Sequence, residues 1–249
     1  MVYKLVLLRH GQSEWNLANK FTGWTDVELT KEGEKQARQS GVLLKDAHFH
    51  FDIVFTSFLK RAINTTKFAL TSLGQQKCTV EEHWELNERH YGSLQGLNKA
   101  DTAKKYGDDQ VLIWRRSFDT KPPLLEKGDE RNSFFDAKYK ALTESEIPLG
   151  ESLQDTINRV IPFWDESITP LLKQGKSILV SAHGNSLRAL VYHLDKMNKK
   201  DILKLNIPCG IPLVYELDKD LTPIRHYYLG DENEIKKQIS SVANQGKSS

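Results

Sequence analysis

Short apolar runs bounded by polar turns alternate along this chain with longer stretches whose apolar residues recur at helical intervals. That alternation predicts an α/β domain built on a largely parallel sheet with helices on both faces. Residues 3–8, 53–56, 78–84 and 177–181 are the expected strands. Leu59, Ala62, Ile63, Thr66, Ala69, Leu70 and Leu73 fall on one helical face, and so do Leu153, Ile157, Val160, Ile161, Trp164, Ile168 and Leu171. Two helices packed on the sheet follow from these. Pro162 interrupts the second: it removes one helical hydrogen bond and its ring crowds the preceding turn, which predicts a bend that keeps the register of the apolar face.

Near the end, residues 212–217 and 223–229 flank the polar turn 218–222 and read as a hairpin, so the sheet is expected to be mixed. Between Leu86 and Gly150 the rhythm breaks, with a helical piece over 109–118 and then the irregular, charged stretch 120–131. Connections this long in compact domains are usually functional or disordered. Residues 1–230 therefore read as one domain with a helical and loop insert at about 87–150. Residues 231–249 carry too little apolar surface to offset their ordering entropy and read as a mobile tail. The chain has no internal repeat and no low-complexity block.

At 249 residues, folding hides roughly 70–75% of the unfolded chain's surface, ample for one sizeable core. The 39% hydrophobic and 27% charged content is that of a soluble globular protein. Lysine and arginine number 35 against 33 acidic residues, a net charge of +2, so bulk charge does not point to a nucleic-acid partner and any strongly basic surface is local. Cys78 and Cys209 lie far apart with no Cys or His at metal-ligand spacing, which argues against a zinc site or a disulfide framework and for a reducing compartment. The apolar run in MVYKLVLLRHG is four residues long, too short for a signal segment or a membrane span. A cytoplasmic location with no membrane partner is expected.

Two of the apolar runs end in the same dipeptide. KLVLLRHG places His10-Gly11 after the first and SILVSAHG places His183-Gly184 after a much later one, and the chain has no other His-Gly pair. In an open parallel sheet ligands bind beyond the carboxyl ends of the strands, so adjacent strands would present both imidazoles to one cleft. Taken singly, a strand-end histidine is better explained by bonding to nearby backbone; the repeated context reverses that and favours chemistry. Arg9 precedes His10, and Arg61 falls in the first turn of the helix after the strand 53–56. With Ser13, Asn16, Thr22, Gly23 and Asn185 they supply many donors and almost no acceptors, which suits a phosphoryl group. Gly11 and Gly184 would let the backbone approach it closely. Neither a GxxxxGK[ST] loop nor a GxGxxG fingerprint is present.

In a pocket of donors, a neutral imidazole at His10 is the nucleophile that fits, because a phosphohistidine splits one displacement into two and nearby cations disfavour the protonated ring. Arg9, Arg61 and His183 would then carry the charge of the transferring group, and no metal is required. A leaving alkoxide still needs a proton. Glu88, in ELNERHYG just past a strand and in an Arg-rich neighbourhood, is the best candidate, although taken alone it reads as a solvated surface carboxylate.

The segment LVLLRHGQSEWN resembles the signature of the histidine phosphatase superfamily, and the chain is similar nearly end to end to its cofactor-dependent phosphoglycerate mutases. The resemblance is carried in order by RHGQSEWN, FTGWTDVELTKEG, TSFLKRAINT, ELNERHYGSLQGLNK, IWRRSFD, AHGNSLRALV and LNIPCGIPLVYE. It implies that His10 is the residue phosphorylated, with Arg9, Asn16, Arg61 and His183 around the phosphoryl group and Glu88 as general acid and base. Ser13, Thr22, Gly23, Gly184 and Asn185 match positions that bind phosphate or substrate in such enzymes. Tyr91, Lys99, Arg115 and Arg116 match those that hold the rest of the phosphoglycerate. It further implies interconversion of 3-phosphoglycerate and 2-phosphoglycerate, a step of glycolysis and gluconeogenesis, with 2,3-bisphosphoglycerate as cofactor, no metal, and a homodimer or homotetramer.

Lys99, Arg115 and Arg116 lie in the insert that broke the α/β rhythm, and an inserted cap over the cleft accounts for both facts. Such a cap would exclude water from a phosphohistidine. Three other readings stay open. A bisphosphoglycerate synthase shares the catalytic set, but Gly23 stands where synthase-like enzymes tend to carry a bulkier residue. A broad-specificity phosphatase has no evident use for the extra cations of the insert. A silent anion-binding scaffold would be expected to have lost one of His10, Arg61, Glu88 or His183.

Overall fold

A computed structural model of the chain describes residues 2–244. Six strands, β1 (Tyr3–Arg9), β2 (Ile53–Thr56), β3 (Thr79–Glu82), β4 (Ile178–Ala182), β5 (Leu213–Leu217) and β6 (Pro223–Tyr228), form one sheet in the order β3-β2-β4-β1-β5-β6. The first four in that order are parallel, and the hairpin β5–β6 adds two antiparallel strands beside β1. The helices are α1 (Glu14–Leu17), α2 (Lys31–Asp46), α3 (Lys60–Leu73), α4 (Lys99–Tyr106), α5 (Asp108–Arg116), α6 (Leu153–Phe163), α7 (Thr169–Lys173), α8 (Gly184–Leu194), α9 (Lys199–Lys204) and α10 (Glu232–Asn244).

β1 and β4 are buried on both faces, which is why they read as continuous apolar runs. Leu5, Leu7, Ile178 and Val180 point to a core shared with α6 and α8. Val6, Leu8, Val54 and Leu179 point the other way, to α2 and α3. Each fully buried aliphatic side chain contributes about 1.5–3 kcal/mol of transfer free energy, so both layers are anchored through the sheet.

The structure departs from the expected elements in four places. After Pro162, residues Trp164–Ile168 form a π turn, so the apolar face moves by one residue and Leu172 is buried where Leu171 was expected. The register therefore does not survive the bend. Pro170 follows this widened turn, and it and Pro162 each leave a carbonyl four residues back without its helical donor. The third strand is shorter than 78–84, because Trp84 already belongs to a 3-10 turn. Helix α2 corresponds to no expected element. The stretch read as a tail carries α10, which buries Ile235; residues 245–249 of it lie outside the described residues. Among the described residues no helix is long and apolar enough to cross a membrane.

Candidate active site

The strand register brings the two histidines together. β1 and β4 pair with Arg9 opposite Ala182, so His10 and His183 leave neighbouring strands at one level, and the His10 N–H donates to the Ala182 carbonyl at 3.0 Å. Their ring centroids are 5.0 Å apart. β2 ends beside β4, which sets Ser57 Oγ 2.7 Å from His183 Nε2.

His10 Nδ1 lies 2.7 Å from the Gly11 carbonyl. A carbonyl only accepts, so the ring proton sits on Nδ1 and Nε2 keeps its lone pair. Burial, then Arg61 and Arg9, hold this imidazole well below the ordinary histidine value, so it is neutral at physiological pH. A neutral imidazole with a directed lone pair is a nucleophile. His183 is held well below its ordinary value too, by burial, Arg61 and His10. Ser57 Oγ also accepts the Leu59 N–H at 3.2 Å. If the hydroxyl gives its hydrogen to Nε2 of His183, Nδ1, which is buried without a side-chain partner among the described residues, carries the ring proton and can donate to an anionic oxygen.

Cations frame this pair. Arg61 donates to the carbonyls of Gly23 at 2.8 Å and Thr25 at 2.9 Å, and burial pushes it down to about 10 although Glu88 and Asp26 pull it up. Arg9 donates to the Ile207 carbonyl at 2.7 Å while its Nε is buried with no partner among the described residues. Glu88 Oε1 accepts three N–H groups, from Arg89 at 2.9 Å, the Asn185 backbone at 3.0 Å and Asn185 Nδ2 at 2.8 Å. Burial alone would raise the Glu88 carboxyl, but these bonds and the charges of Arg9 and Arg61 outweigh it, so Glu88 lies below its ordinary value and is ionised.

The Glu88 segment is held from behind by a buried ion pair. Arg159 Nε donates to Glu151 Oε1 at 2.7 Å, with the side chains 8% and 4% exposed, and Arg159 also donates to the carbonyls of Glu85, Asn87 and Glu88. Glu151 in turn accepts the His90 N–H at 2.7 Å. Glu151→Ala strands a buried guanidinium, and urea unfolding at neutral pH is expected to show a loss of about 3 kcal/mol. A loss under about 1 kcal/mol, the scale of an exposed pair, would mean that this pair does not hold the segment.

One cleft of about 690 Å³ gathers Arg9, His10, Asn16, Thr22, Gly23, Arg61, Glu88, Tyr91, Lys99, Arg115, Arg116, Gly184 and Asn185. His183 is fully buried against His10. Ser13 is placed differently: it caps α1, its Oγ accepting the Asn16 N–H while its own N–H donates to Asn16 Oδ1. It therefore orients Asn16, which does line the cleft. Gly11 is required by packing, since a Cβ there would fall 2.2 Å from the Gly33 carbonyl oxygen; at Gly184 it would meet the protein only at ordinary contact, 3.6 Å from Arg9 and Glu88. Gly23 has φ +54°, and a Cβ would fall 2.1 Å from Gln95 Oε1, so a bulkier residue there would displace the loop that holds Arg61.

Lys20, Arg188, Asn206 and Val242 line the cleft without having been singled out in the sequence. Arg188 had a visible signal, three residues past Asn185 in AHGNSLRAL and so on its helical face. Asn206 accepts from Arg116 at 2.6 Å and ties α5 to the segment after α9. Burial, together with Arg115 and Arg9, pushes Lys99 down to about 7. Among the described residues no group of three or more His, Cys, Asp or Glu is arranged to hold a metal ion.

The model of the histidine phosphatase superfamily (branch 1) matches residues 5–133 and 124–227. A curated protein of Borreliella afzelii (strain PKo), described as a 2,3-bisphosphoglycerate-dependent phosphoglycerate mutase, is 58% identical over 246 residues, which is 99% of each chain. Among solved structures, a mycobacterial glucosyl-3-phosphoglycerate phosphatase aligns with a TM-score of 0.68 at 23% identity, over 91% of this chain and 97% of its own. The alpha-ribazole phosphatase of Shigella flexneri aligns with a TM-score of 0.67 at 22% identity, over 92% of this chain and 100% of its own. At such identities these two share the fold.

Proposed function

The chain belongs to the histidine phosphatase superfamily, and from that premise we infer that it is a 2,3-bisphosphoglycerate-dependent phosphoglycerate mutase, which interconverts 3-phosphoglycerate and 2-phosphoglycerate through a phosphohistidine. The observation that carries this reading is the charge of the cleft. Seven lysine or arginine side chains line it against one carboxylate among the described residues. Arg9 and Arg61 stand beside the His10 nucleophile, while Lys99, Arg115 and Arg116 come from the insert. A phosphatase needs donors for one phosphate. A mutase must also hold a carboxylate and a second phosphate, and the insert supplies the cations for both.

Bound 2,3-bisphosphoglycerate supplies the phosphoryl group that first loads His10, and its two phosphates match the two sets of cations. In the forward half, phosphorylated His10 yields its phosphoryl group to the substrate hydroxyl: the N–P bond breaks, an O–P bond forms and the hydroxyl proton passes to Glu88. In the return half, His10 Nε2 attacks the other phosphorus, and Glu88 gives its proton to the leaving oxygen. Arg9, Arg61 and His183 hold the equatorial oxygens, where phosphoryl transfer places its charge. Phosphate dianions offset the pull of Arg9 and Arg61 on Glu88, so the carboxylate gains the basicity to keep a proton between the halves. The insert and the Val242 end of α10 border the cleft, an arrangement that excludes water and favours transfer over hydrolysis.

The test is conversion of 3-phosphoglycerate to 2-phosphoglycerate with a chelator present, with and without a trace of 2,3-bisphosphoglycerate, alongside free phosphate. Isomerisation that resists the chelator, rises with the bisphosphate and releases little phosphate is expected. Phosphate release without isomerisation would replace this reading with a phosphatase, and silence in both with an anion-binding scaffold. Assembly as a homodimer or homotetramer belongs to the same reading, with the exposed edge strand β3 as the pairing surface. Sedimentation at assay concentration tests it, and a monomer would remove it.

A further inference from the structure

Arg188 lies one turn along α8 from Asn185 and lines the cleft. It donates to Asn185 Oδ1 at 2.8 Å and to the Ile202 carbonyl of α9 at 2.6 Å, which fixes the guanidinium at two points. A side-chain amide is nearly symmetric in shape, so its partners alone decide which end faces which way. With Oδ1 turned to Arg188, the Nδ2 end must face Glu88, where it donates to Oε1 at 2.8 Å. Turned over, the amide would set its own oxygen against a carboxylate.

Glu88 Oε1 already accepts three N–H donors, so its lone pairs are occupied. The basic oxygen left is Oε2, on the side where a Cβ built at Gly184 would come within 3.6 Å. We propose that Arg188 is a positioning residue for proton transfer: by locking the Asn185 amide as a donor to Glu88 Oε1, it directs the travelling proton to Oε2. The inference rests on the reading of Glu88 as the proton carrier. Groups that face or bond Glu88 are Arg9 from β1, Arg61 from α3, Lys99 from α4, the Arg89 N–H and Tyr91 from its own segment, Asn185 and Arg188 from α8, and Arg159 of α6 through the Glu88 carbonyl. Of these, Arg188 alone donates to the Asn185 amide oxygen among the described residues.

The experiment compares Arg188→Gln, Arg188→Lys, Asn185→Ala and the double variant Asn185→Ala with Arg188→Gln, each as full chain, for kcat, KM and the pH dependence of kcat. Arg188→Gln is expected to lower kcat about tenfold with KM within about threefold, and to move the acidic limb to higher pH, because a carboxylate that loses a donor becomes more basic. Arg188→Lys should recover most of the loss, since its ammonium still reaches an amide oxygen. In the Asn185→Ala background, Arg188→Gln should add little, the mark of two residues acting as one unit. Independent, additive losses or an effect confined to KM would overturn the proposal and make Arg188 a direct substrate contact. An unmoved acidic limb would overturn it in favour of a structural role. Glu88→Gln run in parallel separates the two levels: full kcat there removes the reading of Glu88 itself, whereas a collapse there with an unmoved limb in Arg188→Gln removes only the role of Arg188.

Discussion

His10→Ala is expected to abolish isomerisation of 3-phosphoglycerate, with kcat lower by roughly 10⁴-fold or more, the scale on which removing a nucleophile acts when the rest of the site is intact. The loss should be chemical. His10 is 2% exposed and neutral, so its removal takes no charge from the cleft, and Arg9 and Arg61 stay bonded to the carbonyls of Ile207, Gly23 and Thr25. Inorganic phosphate should therefore bind His10→Ala about as well as the unaltered protein. Labelled 2,3-bisphosphoglycerate decides the point, because the unaltered protein should take up acid-labile, alkali-stable label and His10→Ala none. Label retained in His10→Ala would mean another nucleophile, with His183 the nearest imidazole at 5.0 Å between centroids. Isomerisation retained without label would mean direct transfer between substrates, and the phosphohistidine mechanism would fall.

That such a test can be designed from sequence depends on which physical signals are local. β1, β2 and β4 are legible because strands buried on both faces must be apolar throughout, and the shared dipeptide after β1 and β4 marks strand ends that pairing sets side by side. Helix α2 is illegible for the opposite reason. Its buried positions are Gly33, Ala37, Ser40, Gly41 and Leu44, so close packing on α3 rests on small residues that carry almost no hydrophobic signal. The π turn after Pro162 hides in the same way, since a one-residue shift converts one leucine of the pair Leu171-Leu172 into the other with no change in composition. For the site, residue types that mean phosphate were readable at Arg9, His10, Arg61 and His183. Ser13 reads by type as a phosphate donor, and a serine directly before a helix is also an N-cap; its Oγ accepts the Asn16 N–H, a bond that leaves the hydroxyl hydrogen to donate. The i,i+3 spacing places Arg188 on the face of Asn185, but its second anchor, the Ile202 carbonyl brought up by α9, is a tertiary contact with no trace in local pattern.

The second large effect is expected at Glu88. Glu88→Gln should lower kcat for isomerisation by about 10²–10⁴-fold, the range supplied by a positioned acid or base. Glutamine keeps the shape and an acceptor at Oε1 for the N–H groups of Arg89 and Asn185, so the loop fastened by Arg159 should stay in place. It also removes the single negative charge among the described cleft-lining side chains, and phosphorylated ligands should then bind at least as tightly, with KM unchanged or lower. The sign of the pH dependence follows from the depressed Glu88 carboxyl. In the unaltered protein the carboxylate persists below the ordinary glutamate range, so the acidic limb of kcat/KM, which reports the free enzyme, should lie below about pH 4.3, the ordinary glutamate value, unless protein stability fails first. Glu88→Gln should show no such limb. An aryl phosphate with an acidic leaving group separates proton transfer from phosphoryl transfer, because its departing oxygen needs no proton. Glu88→Gln should load His10 from that donor at nearly the unaltered rate while isomerisation collapses. Equal losses in both reactions would mean that Glu88 acts by shaping the phosphoryl site, and the proton would have to be carried by another group in reach of the cleft, with Lys99, brought down to about 7, the first to examine.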